Sequence, residues 1–406
     1  MWSNWHFNLK RKYALRKLAL VFAALSLGAC SSLPMDRLNP VSWFGDDEVN
    51  PPRELVDIAA EVDVRPLWSV NVGNGQGDNY TKLTPTIDGA VIYAASENGT
   101  VVAVDKDSGD VLWRNRLDDV IITGGVGTGG GLVVFGTRDA EVVALNQADG
   151  EIAWISQVTS EVVAPPISNN DVVVVQTVDD KVAALEVSNG ERRWIYESTQ
   201  PALTLRGTSR PVITDLDTVV AGFSNGTLVS VSAEDGVWRW EERVAVPDGR
   251  YDIDRVIDVD GDLLLDGGRV LASSYQGNLI ALDVVSGRIV WGLEDASSYH
   301  GLAQGFGNLY YCNDESLVIA VRDNSEDVAW ENEDLQYRSV TAPTAVTNYV
   351  AVADFEGYLH LISQIDGRIV GRTRVDNDGV RAKLLADDGR LFAFGNSGSL
   401  VALELQ

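Results

Sequence analysis

Few side chains in this chain combine reactivity with a spacing that would let them react. The 406 residues include three His and two Cys. His300 and His360 are the only imidazoles outside the N-terminal basic segment, and they do not stand at the short spacing that shares a metal or a proton. Cys312 ends the apolar run Leu309-Tyr310-Tyr311-Cys312 and reads as a small core residue rather than a reactive thiol. Asp258-Val259-Asp260-Gly261-Asp262 begins like a Ca²⁺ loop, but its sixth position is Leu263 and its twelfth is Arg269, so it reads as a solvated acidic turn. Gly125-Val126-Gly127-Thr128-Gly129-Gly130 fits a dinucleotide fingerprint, yet an apolar strand at 132–135 follows where that site needs a helix. It is expected to be a loop between sheets. The residues therefore point to no catalytic group, no metal and no cofactor.

The chemistry that does stand out is at the N-terminus. Lys10, Arg11, Lys12, Arg16 and Lys17 precede the apolar run 18–29, which is too short for the ~20 residues that span a bilayer. Residues 1–29 are expected to be an export signal. Its end, Leu27-Gly28-Ala29-Cys30, resembles the bacterial lipobox, so Cys30 is expected to carry a lipid. Several acyl chains, at ~0.8 kcal/mol per buried CH₂, make such an anchor stable. Ser31 stands where Asp would signal retention at the inner membrane, which implies the periplasmic face of the outer membrane.

Without the five basic residues of the signal, 27 Lys+Arg face 59 Asp+Glu, a net charge of −32. Such a surface repels nucleic acid and anionic headgroups and favours basic protein partners. With Cys30 lipidated no disulfide is possible. Residues 30–64 carry four Pro and the cluster Asp46-Asp47-Glu48, and read as a flexible tether with, at most, a helical turn over 53–62.

The elements behind these residues follow from a repeat. An alternating apolar strand, a turn ending in Gly, and Trp four residues later recur through the chain. The Trp-equivalent positions are 113, 154, 194, 240, 291, 330 and 371, spaced 39 to 51 residues apart, with Gly371 in the last. That period, with about four short strands in each, predicts β-propeller blades. Residues 381–406 supply three strands and stop, whereas 65–72 supply a Trp68 strand with no blade before it. Pairing them gives an all-β, eight-bladed propeller over 65–406, closed by the N-terminal strand, with no open edge between the termini. Seven blades is the alternative, because Gly371 interrupts the Trp series. The indoles are expected to fill the spaces between blades, each burying roughly 150–250 Å².

The repeat resembles that of the quinoprotein (PQQ-like) propellers, whose dehydrogenases use pyrroloquinoline quinone with Ca²⁺ and a vicinal Cys-Cys disulfide. This sequence has no Cys-Cys pair and is shorter. With its lipobox, acidic tether and short blades, the chain resembles the BamB family of outer-membrane assembly-factor lipoproteins. Leu203-Thr204-Leu205-Arg206-Gly207 resembles that family's Leu-x-Leu-Arg-Gly loop, and Asp252-Ile253-Asp254-Arg255 its acidic-Ile-Asp-Arg loop. The resemblance implies a non-enzymatic scaffold of the barrel-assembly (BAM) complex that binds the POTRA domains of BamA and assists nascent outer-membrane proteins. Leu203, Leu205, Arg206, Asp252, Asp254 and Arg255 would then form the partner-binding patch. Two other readings stay open: a quinone-dependent oxidoreductase, and an envelope propeller with a different partner.

Overall fold

The computed structural model describes residues 50–406 except 78–80, 206, 248 and 249, and excludes the side chains of 252 and 254. The signal 1–29, Cys30 and the tether as far as 49 lie outside the described residues. Pro52–Gln406 forms one unit, the ring.

Alternating apolar runs separated by Gly, Asp and Asn turns give short antiparallel hairpins. Among the described residues these make eight four-stranded sheets. Blade 1 shows the pattern: an inner strand Thr86–Asp88, then Val91–Ala95, Thr100–Asp105 and the outer strand Val111–Arg116. The second and third strands of each blade are buried on both faces, the outer strand on one. Blade 8 joins Leu385–Asp387, Arg390–Phe394 and Ser399–Leu405 to the N-terminal strand Val64–Asn71, in antiparallel register from Val64 opposite Leu405 to Asn71 opposite Ser399. The ring is closed by both termini and has eight blades.

Six of the eight blades are fastened to the next by an indole. Trp68, Trp113, Trp154, Trp194, Trp240 and Trp330 donate Nε1–H to a main-chain carbonyl of the following blade at 2.8–3.1 Å. Each indole also lies against that blade's turn glycine: Gly109, Gly150, Gly190, Gly236, Gly287 and Gly367. These glycines have φ between +69° and +77°, and a Cβ on any of them would come within 2.5–2.8 Å of the indole. Glycine is needed for both reasons. Trp291 has no such partner. The turn it faces in blade 6 has no glycine, and Asp323, at the accepting position, turns its carboxylate to Arg269.

Three expectations from the sequence are corrected here. Gly127–Gly129 is not loop but the inner strand of blade 2. Close packing at the axis explains it, since a Cβ on Gly127 would lie 1.9 Å from the Pro166 carbonyl oxygen. Residues 53–64, read as flexible tether, are bound to the ring, with Val64 already in the closing strand. They form no helical turn either. Their main chain is used by the ring: Arg338 Nη1 donates to the Arg53 carbonyl at 3.0 Å and Arg372 Nη1 to that of Val56 at 2.8 Å. The Glu61 and Val62 N–H groups donate to Val370 O at 2.8 and 3.1 Å, while Leu55 and Ile58 pack on the core of blades 6 and 7. We call residues 53–63 the strap.

Candidate docking rim and axial mouth

In an antiparallel four-stranded blade, the outer-to-inner connections and the turns between second and third strands share one rim. Residues 198–211 connect blade 3 to blade 4, and 244–263 connect blade 4 to blade 5. Leu203 and Leu205 on the first are 42% and 41% exposed. Tyr251, Ile253 and Arg255 on the second are exposed, around a short 3₁₀ turn Asp252–Arg255. Arg206 lies outside the described residues, as do the side chains of Asp252 and Asp254.

The two connections are joined by a residue that the sequence reading placed in solvent. Asp258 is 0% exposed, and its Oδ2 accepts the Leu205 N–H at 2.6 Å. A Cβ on Gly207 would lie 2.3 Å from the Asp260 carboxyl, so the loops touch main chain to side chain. The 258–262 segment is therefore not a solvated turn. It dips toward the axis and supplies an acceptor for an N–H that has no ladder partner. The signal that could have found it is the alternation Val256-Ile257-Asp258-Val259, which puts a carboxylate inside an apolar run.

Burial raises the Asp258 pKa to about 6, against the Leu205 N–H and assisted by the negative charge of Asp180. Asp260 is raised to about 7 by burial and by Asp258, with Lys82 pulling the other way. Asp180 is itself raised by burial although Ser224 donates to it through main chain and hydroxyl. Asp258 and Asp260 thus sit close to their protonation points near neutral pH, with Asp180 raised beside them.

Beside the rim, the connections of seven blades enclose an axial mouth of about 370 Å³. Leu205, Gly207 and Asp260 belong to its wall, with Lys82, Lys383 and His300. Burial and the Lys82 charge hold His300 well below the usual imidazole range. The second imidazole, His360, is buried in blade 7 between Asp354 and Arg372 and does not line this mouth. Cys312 is buried with its thiol raised by burial. Among the described residues no group of three or more His, Cys, Asp or Glu is disposed to hold a metal ion.

A closed ring of eight such blades, fastened by Trp and Gly, defines a quinoprotein-like propeller. The chain matches the family described as outer membrane protein assembly factor BamB over residues 56–123 and 97–332. It is 46% identical over 388 residues to the Pseudomonas aeruginosa outer membrane protein assembly factor BamB, covering 96% of this chain and 98% of that one. With the Escherichia coli protein of that name the identity is 37% over 345 residues, covering 83% and 88%. The crystal structure of BamB from Moraxella catarrhalis superposes with a TM-score of 0.76 at 26% identity, over 84% of this chain and 99% of that one. Quinohemoprotein alcohol dehydrogenase from Comamonas testosteroni shares the fold alone, with a TM-score of 0.67 at 14% identity over 84% of this chain and 76% of that one. The chain belongs to the BamB family.

Proposed function

We propose that this chain is a non-enzymatic scaffold of outer-membrane β-barrel assembly. In this reading a lipid on Cys30 tethers it to the periplasmic face of the outer membrane, and its rim binds the POTRA domains of BamA. The observation that carries the reading is the welded pair of connections. Leu203, Leu205, Tyr251 and Ile253 stand exposed on two loops held together by a buried hydrogen bond to Asp258. Apolar anchors on a pre-ordered backbone lose little entropy on docking, which is where binding energy concentrates. Arg206, Asp252, Asp254 and Arg255 would add charge selection around those anchors.

The fold likeness to dehydrogenases explains the ring and supplies no step of chemistry. Replacing Leu203, Leu205 and Arg206 with Ala and measuring co-purification with BamA tests the reading. Recovery should fall about tenfold or more, as two lost anchors of ~1 kcal/mol each require. Unchanged recovery from a folded variant would remove these residues from the interface.

A further inference from the structure

The front of the strap is held at two arginines, and one buried imidazole stands between them. Arg338 Nη1 donates to the Arg53 carbonyl at 3.0 Å, and its Nε donates to Asp354 at 2.8 Å. Asp354 accepts in turn from His360 Nε2 at 3.1 Å, and His360 Nδ1 accepts from Arg372 Nε at 3.1 Å. Arg372 Nη1 completes the relay at the Val56 carbonyl, 2.8 Å away. Asp354 and His360 are 0% exposed and Arg338 is 3% exposed.

The relay works with one protonation state of His360. Because Nε2 carries the hydrogen given to Asp354, an added proton has only Nδ1 to occupy, where it would face the Arg372 Nε–H. The acceptor becomes a donor, and two cations then share a buried site. Arg372 has no second hold there, since its Nη2 is buried without a hydrogen-bond partner among the described residues. Burial first, and then the charges of Arg372 and Arg338, hold His360 below the usual imidazole value against the pull of Asp354, so the relay is closed at neutral pH. The other charged or titratable groups facing it are Glu356 on Arg338, Glu333 at 3.7 Å from Arg53, and Asp334 and Tyr358, which act on Arg372.

We infer that His360 is an acid-sensitive latch for residues 53–58 of the strap: its protonation expels the Arg372 side chain, frees the Val56 carbonyl and lets Leu55 and Ile58 lift from the core of blades 6 and 7. The far end stays in place, because the Glu61 and Val62 N–H groups bond to Val370 and the Val62 side chain is buried. Release adds about 20 Å of extended chain ahead of the ring. With a lipid on Cys30, as proposed above, acid would lengthen the tether; the latch itself does not rest on that reading.

Proteolysis of the purified full chain tests the latch, with a glutamyl endopeptidase active at both about pH 4.5 and about pH 7.5, below and above the ordinary imidazole range. Each cleavage rate is divided by that of a free peptide of residues 50–66 under the same conditions. Cleavage after Glu54 should be at least ~10-fold faster at the lower pH, whereas cleavage after Glu61 should stay slow. His360→Gln keeps an acceptor for Arg372 and a donor for Asp354, leaves every other charged group in place and cannot take the proton. It should hold the rise below ~2-fold. If that variant does not fold, Arg372→Met serves, and cleavage after Glu54 should then already be fast at the higher pH. No rise in the unaltered chain, the same rise in His360→Gln, slow cleavage at the higher pH in Arg372→Met, or an equal rise after Glu61 would each overturn the inference.

Discussion

A Cβ built on Gly371 would lie 3.0 Å from the carbonyl oxygen of Val62. Gly371 occupies the position that holds Trp in the other blades, and the strap runs where that indole would go. Blade 8 takes its outer strand from the N-terminus, so it has no third-to-outer turn and no turn glycine to receive a Trp. Val62 is buried among Val64, Leu391 and Leu403 instead, filling the space between blades 7 and 8. The gap in the Trp series therefore marks the closure of the ring rather than a missing blade.

Gly371→Trp should then expel the strap. The expected outcome is a loss of about 2–4 kcal/mol in urea unfolding, from Val62 burial and displaced hydrogen bonds. Removing the strap by starting the chain at residue 64 should give a similar loss, and combining the two should cost less than their sum. Full additivity would show that the strap and Gly371 do not share a space.

The Trp and Gly pairing makes a second prediction. Gly287→Ala puts a methyl at φ +69° and 2.5 Å from the Trp240 ring, and should destabilise the ring by about 2–4 kcal/mol. Ala at Gly89, also at positive φ but with nothing within 4 Å of its Cβ, should cost only the backbone term of ~1–2 kcal/mol. Equal losses at both sites would deny the indole contact its share.

Acid stability depends on opposing groups. Burial lowers the pKa of His360, and its Nδ1 accepts from Arg372 Nε at 3.1 Å, so the neutral ring donates from Nε2 to Asp354. Because the folded pKa lies below the unfolded value, this group's contribution is intact above ~6.5 and is lost as pH falls below it. Asp258 and Asp260 act in the other sense. Their folded pKa values, about 6 and about 7, lie above the unfolded value, so they weaken the fold as pH rises from ~4 up to those values. Asp260→Asn should therefore stabilise the ring more at pH 8 than at pH 5, by roughly 1–2 kcal/mol in urea unfolding. A pH-independent effect would place Asp260 in solvent.

The Leu205 N–H bond predicts slow exchange. Hydrogen exchange at Leu205 should be protected in the isolated chain at pH 7 and become at least ~10-fold faster in Asp258→Ala, while Asp258→Asn, which keeps an acceptor oxygen, should retain most of the protection. Rapid exchange in the unaltered chain would show that the loop is not pre-ordered.

Legibility in the sequence followed the range of the contacts that matter. Blade number and closure were readable because Trp and turn glycines recur with one period, and because Trp68 had no blade of its own. The strap was not, since Leu55, Ile58 and Val62 meet partners in blades 6 to 8, far along the chain, and in isolation their spacing looks like a helical turn. Asp258 was missed for the same reason. An acidic run is ordinarily solvated, and only the fold brings the Leu205 N–H, 53 residues away, to its carboxylate. The candidate rim was legible through family resemblance rather than through spacing, and its members Leu203, Leu205, Arg206, Asp252, Asp254 and Arg255 remain proposals.

Site-specific photo-crosslinking in intact cells is the most direct test that this rim is where the scaffold binds its partner. A crosslinker at Leu203 or Tyr251 is predicted to capture BamA. One at Ile365, 79% exposed on a third-to-outer turn of the opposite rim, is predicted not to. Capture of BamA from Ile365 but not from Leu203 or Tyr251 would contradict the account.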